Sequence, residues 1–463
     1  MHKLFTLLAT SLLVLCSIGQ IAAQSHASLT LVKAARLLDP RTGNVISPAA
    51  VLIENGKIKE VASPTRIQAA APVGVNTIDL GSATLLPGLI DGHTHLLLDI
   101  IPPTEAEITR TFNGDFEPGL LLAIAAMSPS ERALRGAQMA REDLESGFTT
   151  VRNLGHSGID GDAALRNAIN DGRVPGPRIL ASGRKLMSIG YLQSLNPALA
   201  GPIMEQEFLQ IGSPDQARKA VRTNSFYQVD IIKVVAADDV TPAEMTAIVD
   251  EAHREHLKVA VHASTTLSIQ TAIDAGADSI EHGNDVTDEQ LSTMRDKGIF
   301  FGITPTFFDG FWSKIHETGA VSPAFRSRLK DRDERNRQRA AILIQRVLRS
   351  GVKFAAGSDM CWFYPGKTRG QATATMFVAL QHAGMPTLDI IRAVTTNAAE
   401  MLGWQDRVGS LEPGKFADLI AVSENPLSDI GELERVRFVM KGGQVIRNEV
   451  VSSDPLIRTV TPR

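Results

Sequence analysis

Six side chains of kinds that bind metal ions stand at the ends of short apolar runs in this 463-residue sequence: His93, His95, Lys233, His262, His282 and Asp359. The first two histidines are two positions apart, and alternation along an extended chain puts both imidazoles on one side. One histidine at a strand end is more often a hydrogen-bonded core residue than a ligand. Four histidines, a lysine and an aspartate at matching ends of five strands instead indicate one shared site. Imidazole and carboxylate groups suit Zn²⁺, Mn²⁺, Fe²⁺ or Co²⁺.

The elements that must position these side chains alternate between strands and helices in the middle of the chain. Ser128, Thr241 and Thr287 are each followed three residues later by Glu or Gln, which is typical of a helix N-terminus. Eight apolar runs are predicted as strands: 85–90, 148–151, 178–181, 230–235, 258–261, 278–280, 299–303 and 353–356. Eight parallel strands in about 320 residues predict an α/β fold of the (β/α)₈ TIM-barrel type, in which chemistry lies at the carboxyl ends of the strands.

Near both ends of the chain, after the first 23 residues, shorter segments alternate apolar and polar residues and are predicted as β-strands. Asn55-Gly56 between two such runs is a strong hairpin signal, and Gly442-Gly443 follows a similar run near the other end. We predict that the two ends pair into a small β-sandwich domain. Its two parts would be residues 24–86 and 409–463, with the barrel at 87–408.

The first 23 residues predict a secretory signal peptide, with a basic start, an apolar run at 4–15 and small residues at the cleavage site. The apolar run is short for a bilayer, which needs about 20 residues, so no stable membrane anchor is expected. A retained anchor and lipid attachment at Cys16 are less favoured, the latter because Leu15 precedes it where a small residue is needed. The predicted location is the periplasm or the exterior, and Cys361 would be the one remaining thiol.

The charge balance argues against binding to nucleic acid or to an anionic membrane surface. Lys and Arg number 47 against 51 Asp and Glu, a formal net charge of −4. Since no block of like charge occurs, nothing predicts binding to nucleic acid, and a small-molecule substrate is expected. The sequence leaves the oligomeric state open, a homo-oligomer included.

The segments around the six residues resemble the amidohydrolase superfamily over almost the whole mature chain. These segments are PGLIDGHTH at 87–95, VHA at 261–263, SIEHG at 279–283, AGSD at 356–359 and PGKFADL at 413–419, together with Lys233. The nearest group is the prolidase and imidazolonepropionase-related branch, which includes metal-dependent dipeptidases, N-acyl amino acid hydrolases and ochratoxin-degrading amidases.

The resemblance implies a centre of two divalent metal ions, Zn²⁺ with Mn²⁺, Co²⁺ or Fe²⁺ as alternatives. The strand-one histidines and Asp359 would hold one ion, and His262 and His282 would hold the second. Lys233, carboxylated by CO₂ to a carbamate, would bridge them. A hydroxide shared by the metals would attack the scissile carbonyl, while Asp359 would move its proton to the leaving nitrogen as catalytic base and acid.

The resemblance also favours hydrolysis over deamination. Deaminases of the superfamily usually carry a carboxylate shortly after the strand-five histidine, whereas His262 is followed by Ala-Ser-Thr-Thr. We expect cleavage of a C–N amide bond in a dipeptide or N-acyl amino acid with a bulky or aromatic group. Hydrolysis of a cyclic amide, lactone or organophosphate is the alternative, and a non-catalytic relative is less favoured.

Candidate substrate contacts are His156, Tyr191, Trp312 and Trp362. The two tryptophans belong to groups of aromatic residues on the loops after strands seven and eight, which would open onto the metal face. An apolar wall for substrate and simple core packing are equally compatible with this pattern. Arg184 and Lys185 are further candidates, as receivers of a substrate carboxylate.

Overall fold

The computed structural model describes residues 29–70, 74–101, 124, 126–189, 197–235, 237–317 and 321–450. The predicted signal peptide and the candidate substrate contact Tyr191 lie outside the described residues. Among the helices within this part of the chain, none is both long and apolar enough to cross a membrane.

The described elements alternate between strand and helix through the middle of the chain. The strands are β1 Leu29–Ala34, β2 Arg36–Leu38, β3 Val45–Ile46, β4 Ala49–Glu54, β5 Lys57–Ala62, β6 Asn76–Asp79, β7 Thr84–Pro87, β8 Leu89–Thr94, β9 Phe148–Asn153, β10 Arg178–Ala181, β11 Lys185–Ser188, β12 Phe208–Ile211, β13 Ile231–Val234, β14 Lys258–Ala263, β15 Ser279–His282, β16 Phe300–Ile303, β17 Phe354–Ala356, β18 Leu419–Val422, β19 Phe438–Lys441 and β20 Gln444–Asn448. The helices are α1 Pro64–Ala70, α2 Pro129–Glu145, α3 Gly161–Asn170, α4 Pro197–Glu207, α5 Pro214–Phe226, α6 Pro242–Arg254, α7 Thr266–Ala275, α8 Asp288–Lys297, α9 Phe311–Ile315, α10 Pro323–Ser350, α11 Arg369–Ala374, α12 Met376–His382, α13 Thr387–Ala393 and α14 Thr396–Leu402.

Parallel strands form the centre of this α/β fold. One sheet has the order β10-β9-β8 and the other β12-β11-β13-β14-β15-β16-β17. The sheets approach each other at both ends: the amide of Asp230 donates to the carbonyl of Ala181 at 2.7 Å, and the amide of Asp359 donates to the carbonyl of His93 at 2.6 Å. No continuous ladder of strands closes them into a barrel among the described residues.

The two ends of the chain share one sheet, as the alternating segments predict. Its order is β20-β19-β18-β7-β2-β3, with Leu419 of β18 opposite Pro87 of β7. A second sheet at this end of the molecule has the order β5-β4-β1-β6. Its Val51 belongs to the same hydrophobic cluster as Phe438 of β19, so the two sheets share a core. The predicted Asn55-Gly56 hairpin joins β4 and β5.

The predicted strand at 85–90 is wrong as a single element. Its first residues belong to β7 in the mixed sheet, and its last belong to β8 in the parallel sheet. Pro87 lacks an N–H donor, and the amide of Gly88 donates to Asp418 of the C-terminal part at 2.9 Å, so the chain changes sheets here. The short strands β11 and β12 were not predicted either.

The predicted helix starts are confirmed. The hydroxyls of Ser128, Thr241 and Thr287 each accept the backbone N–H three residues later. In the last two, the Glu or Gln side chain also binds back to the cap, which completes a capping box. These caps fix where the helices leave the sheet edge that carries the site.

Candidate metal centre

The six predicted ligands lie at or just beyond the carboxyl ends of the parallel strands. His93 is in β8 and His95 follows it, Lys233 is in β13, and Asp359 lies three residues after β17. In the parallel register, His262 of β14 is opposite Glu281, the residue before His282 at the end of β15. The register therefore carries all six side chains to one edge of the sheets.

Asp359 is the point on which the ligand atoms converge. Its Oδ1 lies 3.1 Å from Nε2 of His95 and 3.4 Å from Nε2 of His93. Its Oδ2 lies 3.8 Å from Nδ1 of His282. His93, His282 and Asp359 each place a ligand atom within 4.8 Å of the others, which is a possible metal site.

The other side of the site contains His262 and Lys233. The ring centroids of His262 and His282 are 4.2 Å apart. Lys233 is 1% exposed, and its Nζ has no hydrogen-bond partner among the described residues. Burial lowers the pKa of Lys233 to about 7, although the carboxylates of Glu281 and Asp359 oppose the shift. An amine that is readily neutral and lacks a partner fits carbamate formation and a bridging role.

The protonation states also fit metal ligands. Burial lowers the pKa of His93 and of His282 to about 3, and it lowers the pKa values of His95 and His262 in the same direction. Burial by itself would raise the pKa of Asp359, but the neighbouring histidines hold it well below its usual range. Four neutral imidazoles and one carboxylate can bind a cation without first losing protons.

A buried carboxylate orients His93. Nδ1 of His93 donates to Oε2 of Glu281 at 2.9 Å, which leaves Nε2 to face Asp359. Oε1 of Glu281 accepts from Arg152 at 2.8 Å. A Cβ at Gly302 would lie 2.3 Å from Glu281 Oε2, so only glycine leaves room for this carboxylate. Such carboxylate–histidine contacts fix the tautomer and raise the basicity of a ligand.

Glu281 and Arg152 were not predicted from the sequence as functional residues. The available signal was a charged residue of each sign within short apolar strands, TTVRN and SIEH. Both side chains are almost fully buried, which requires that they pair.

A second buried carboxylate joins the first strand to the loop of Asp359. Asp91 accepts hydrogen bonds from the amide of His93 at 3.1 Å, from the amide of Ser358 at 2.8 Å and from the Ser358 hydroxyl at 2.6 Å. Asp359 and His282 have φ values of +54° and +71°, a region that non-glycine residues seldom adopt. The contacts of Asp91 help to hold Asp359 in this strained conformation.

The candidate substrate residues lie in two places. His156 is buried, and its ring centroid is 4.8 Å from that of His95. Trp312 and Trp362 lie in a buried group that we call the aromatic cluster: Phe311, Trp312, Trp362 and Tyr364. The tryptophan rings are 5.5 Å apart, and Trp312 is only 2% exposed. Both tryptophans thus contribute to a core, and their contact with substrate stays a prediction.

Comparison with known proteins places this geometry in a family. Residues 84–446 match the amidohydrolase family. The ochratoxinase of Aspergillus niger is 28% identical over 462 residues, covering 92% of this chain and 88% of that protein. The imidazolonepropionase of Clostridium tetani is 24% identical over 396 residues, covering 81% of this chain and 84% of that protein.

A solved structure shares the fold. The crystal structure of a Xaa-Pro dipeptidase with bound methionine superimposes with a TM-score of 0.73 at 29% identity, covering 90% of this chain and 99% of that one. The parallel sheets are therefore of the TIM-barrel type. The family match extends over most of the chain, so the protein belongs to the amidohydrolase family and is a hydrolase that acts on C–N bonds.

Proposed function

We propose that the protein is an exported, metal-dependent amidohydrolase that cleaves the amide bond of a dipeptide or an N-acyl amino acid with a bulky or aromatic group. The observation that carries this proposal is the convergence of His93, His95 and His282 on Asp359. The buried Lys233, whose Nζ has no hydrogen-bond partner among the described residues, supports it. The names of the similar proteins, an ochratoxinase and a Xaa-Pro dipeptidase, agree with this substrate class.

Two divalent ions fit the donor set. His93, His95 and Asp359 would hold one, His262 and His282 would hold the other, and carboxylated Lys233 would bridge them. When bound, such ions polarise a carbonyl and lower the pKa of water from about 15.7 towards 7. Zn²⁺ suits the four imidazoles best, and Mn²⁺, Co²⁺ and Fe²⁺ can occupy similar ligands.

The carboxylate of Asp359 handles the proton in this proposal. Because its pKa is held well below the usual range, Asp359 is ionised at neutral pH and can accept a proton from the attacking water. A new C–O bond forms at the scissile carbonyl. Asp359 then gives the proton to the amide nitrogen as the C–N bond breaks, which releases a carboxylic acid and an amine.

We also propose a finer architecture and a location. The two parallel sheets would close as one (β/α)₈ barrel at residues 87–408, with a β-sandwich from residues 24–86 and 409–463. The bridge between Thr94 and Met360 and the contact of Asp359 with His93 support closure. Residues 1–23 would be removed on export to the periplasm or the exterior, and the mass of the exported chain would test this.

A substrate screen tests the proposed function. Purified residues 24–463, loaded with Zn²⁺ in bicarbonate buffer, should hydrolyse members of a library of dipeptides and N-acyl amino acids, with bulky side chains preferred. A chelator should abolish turnover, and Zn²⁺, Mn²⁺ or Co²⁺ should restore it. Lactone and phosphotriester substrates serve as comparison. Hydrolysis of those compounds without any amide hydrolysis would overturn the proposal.

A further inference from the structure

Lys185 lies next to the proposed metal centre, on the side that faces the aromatic cluster. It begins β11, and alternation puts Lys185 and Met187 on one face and Leu186 on the other. Met187 packs in the same hydrophobic group as the aromatic cluster, whereas Leu186 packs between sheet and helices. Lys185 is only 5% exposed, so its side chain is buried in the interior.

One imidazole separates Lys185 from a predicted metal ligand. Nζ of Lys185 is 2.7 Å from Nε2 of His156, whose ring is 4.8 Å from that of His95. On its other side, Nζ lies 4.9 Å from the ring of Phe208, a member of the hydrophobic group that includes the aromatic cluster. Lys185 therefore stands between a predicted metal ligand and the hydrophobic group that includes the aromatic cluster.

The backbone at Gly155 and His156 packs closely against the Lys185 side chain. Gly155 has a φ of +106°, and a Cβ there would lie 2.5 Å from Cγ of Lys185. His156 follows with a φ of +60°, and its carbonyl accepts a hydrogen bond from Arg132 at 3.1 Å. Arg132 is itself fixed by a buried ion pair with Glu207. Strained residues held by such contacts are typical of ligand-binding sites.

A buried lysine beside a metal centre has a defined chemical use. Its ammonium group is a compact charge with three donors, suited to one anionic oxygen group. We propose that Lys185, positioned by His156, binds the carboxylate next to the scissile amide, so that the protein selects amides of free amino acids over amides without a carboxylate. This inference rests on the proposed function and specifies its substrate class.

The neighbouring Arg184 was the other candidate for the substrate carboxylate, but its guanidinium is held by a backbone carbonyl elsewhere, so it provides a matched control. Its guanidinium donates to the carbonyl of Glu205 at 3.0 Å and lies 5.8 Å from the ring of Tyr227, away from His156. Arg184→Gln removes the same charge one residue away. Lys185→Met removes the ammonium with little change in volume, and Lys185→Arg restores a cation.

The test compares N-acetyl-L-phenylalanine with its primary amide, following release of acetate by the Zn²⁺-loaded protein. We expect kcat/KM for the acid to fall about 10- to 100-fold more than that for the amide in Lys185→Met, as for loss of a charge-assisted hydrogen bond. The effect should be on KM, should be partly reversed in Lys185→Arg and should not occur in Arg184→Gln. Equal losses for acid and amide would overturn the proposal.

Binding of the products separates this inference from the proposed function. Calorimetry should show that the wild-type metal-loaded protein binds L-phenylalanine more tightly than L-phenylalaninamide, with no turnover required. If no amide in the library is hydrolysed but this preference is present and is lost in Lys185→Met, the proposed function fails and the carboxylate site stands. Equal affinity of the wild-type protein for the two products overturns the site, even if every Lys185 variant fails to fold.

Discussion

At the scale of single residues, Lys233 explains most about the site. A buried amine without a hydrogen-bond partner, as Lys233 is among the described residues, typically lowers the free energy of unfolding by about 1–3 kcal/mol. Its lowered pKa of about 7 means that the folded chain disfavours the charged form. Lys233 destabilises the metal-free fold. Its presence at this position is explained if its neutral amine is needed to form a carbamate between two ions.

Lys233→Met should therefore separate stability from activity. The thioether needs no hydrogen bond. In urea titrations at pH 7, we therefore expect the free energy of unfolding of the metal-free variant to be about 1–3 kcal/mol higher than that of the wild type. Amide hydrolysis should fall about a thousandfold or more, since metal ions supply several kcal/mol of transition-state stabilisation.

The metal content of the same variant should fall from two ions per chain to at most one. Lys59→Met, which removes an exposed lysine paired with Glu54, should keep both ions and full activity. Two ions per chain and wild-type turnover in Lys233→Met would refute the bridging role.

At the scale of elements, the close approach of two neighbouring strands leaves room for the carboxylate that orients the predicted ligand His93. Gly302 of β16 faces Glu281 of the neighbouring β15, and the carboxylate occupies the space that a side chain at 302 would fill. The orientation of His93 thus depends on Glu281 of β15, although β15 does not pair with β8, the strand that carries His93.

Gly302→Ala should weaken metal binding without removing any ligand. The added methyl group displaces Glu281 from His93, so we expect about a 10- to 100-fold loss of affinity for Zn²⁺ in a competition assay with a chromophoric chelator. Gly201→Ala in α4 is the control, because, apart from its chain neighbours and the backbone of its own helix, no described atom lies within 4 Å of its added Cβ. Unchanged affinity in Gly302→Ala would show that Glu281 does not orient the ligand.

An ion pair joins the parallel strands to the C-terminal segment. Arg178 of β10 donates to both oxygens of Asp418, at 2.9 and 3.1 Å, and its guanidinium lies 3.7 Å from the ring of Phe416. Arg178→Ala leaves Asp418 buried without its partner, so we expect a loss of about 2–4 kcal/mol in the free energy of unfolding.

The matched control is Arg173→Ala, whose partner Asp171 is exposed and which should cost less than about 1 kcal/mol. Similar losses in the two variants, measured by urea denaturation, would show that the Arg178 pair does not tie the two parts of the fold together.

The sequence allowed prediction of local features and of the residues at strand ends. Capping boxes and the Asn55-Gly56 hairpin depend on neighbours within a few residues, so their signals are local. The division of residues 85–90 between two sheets depends on Asp418, more than 300 residues away. The pairing of Arg152 with Glu281 was missed for the same reason, since it joins β9 to β15.

At the scale of the whole molecule, burial of the histidines makes stability depend on pH. His282 has a pKa near 6.5 when unfolded and about 3 in the folded, metal-free chain, so the unfolded state binds more protons between these values. Its contribution is fully present above pH 6.5 and is lost as the pH falls towards 3. The raised pKa of about 6 for Asp91 acts in the opposite direction.

His282→Asn isolates this contribution, since Asn tolerates the positive φ and Asp91 is common to both proteins. Between pH 7 and pH 5, we expect the metal-free wild type to lose about 2 kcal/mol more of its free energy of unfolding than the variant. Parallel pH profiles of the two proteins in urea denaturation would contradict a buried neutral histidine.

We propose that these ligands hold two ions that are needed for amide hydrolysis. The most direct test is stepwise addition of Zn²⁺ to the chelated protein in bicarbonate buffer while hydrolysis of the best N-acyl amino acid in the screen is followed. We predict that activity rises from zero and reaches its plateau at two equivalents per chain. A plateau at one equivalent, or full activity before any Zn²⁺ is added, would rule out a requirement for two ions.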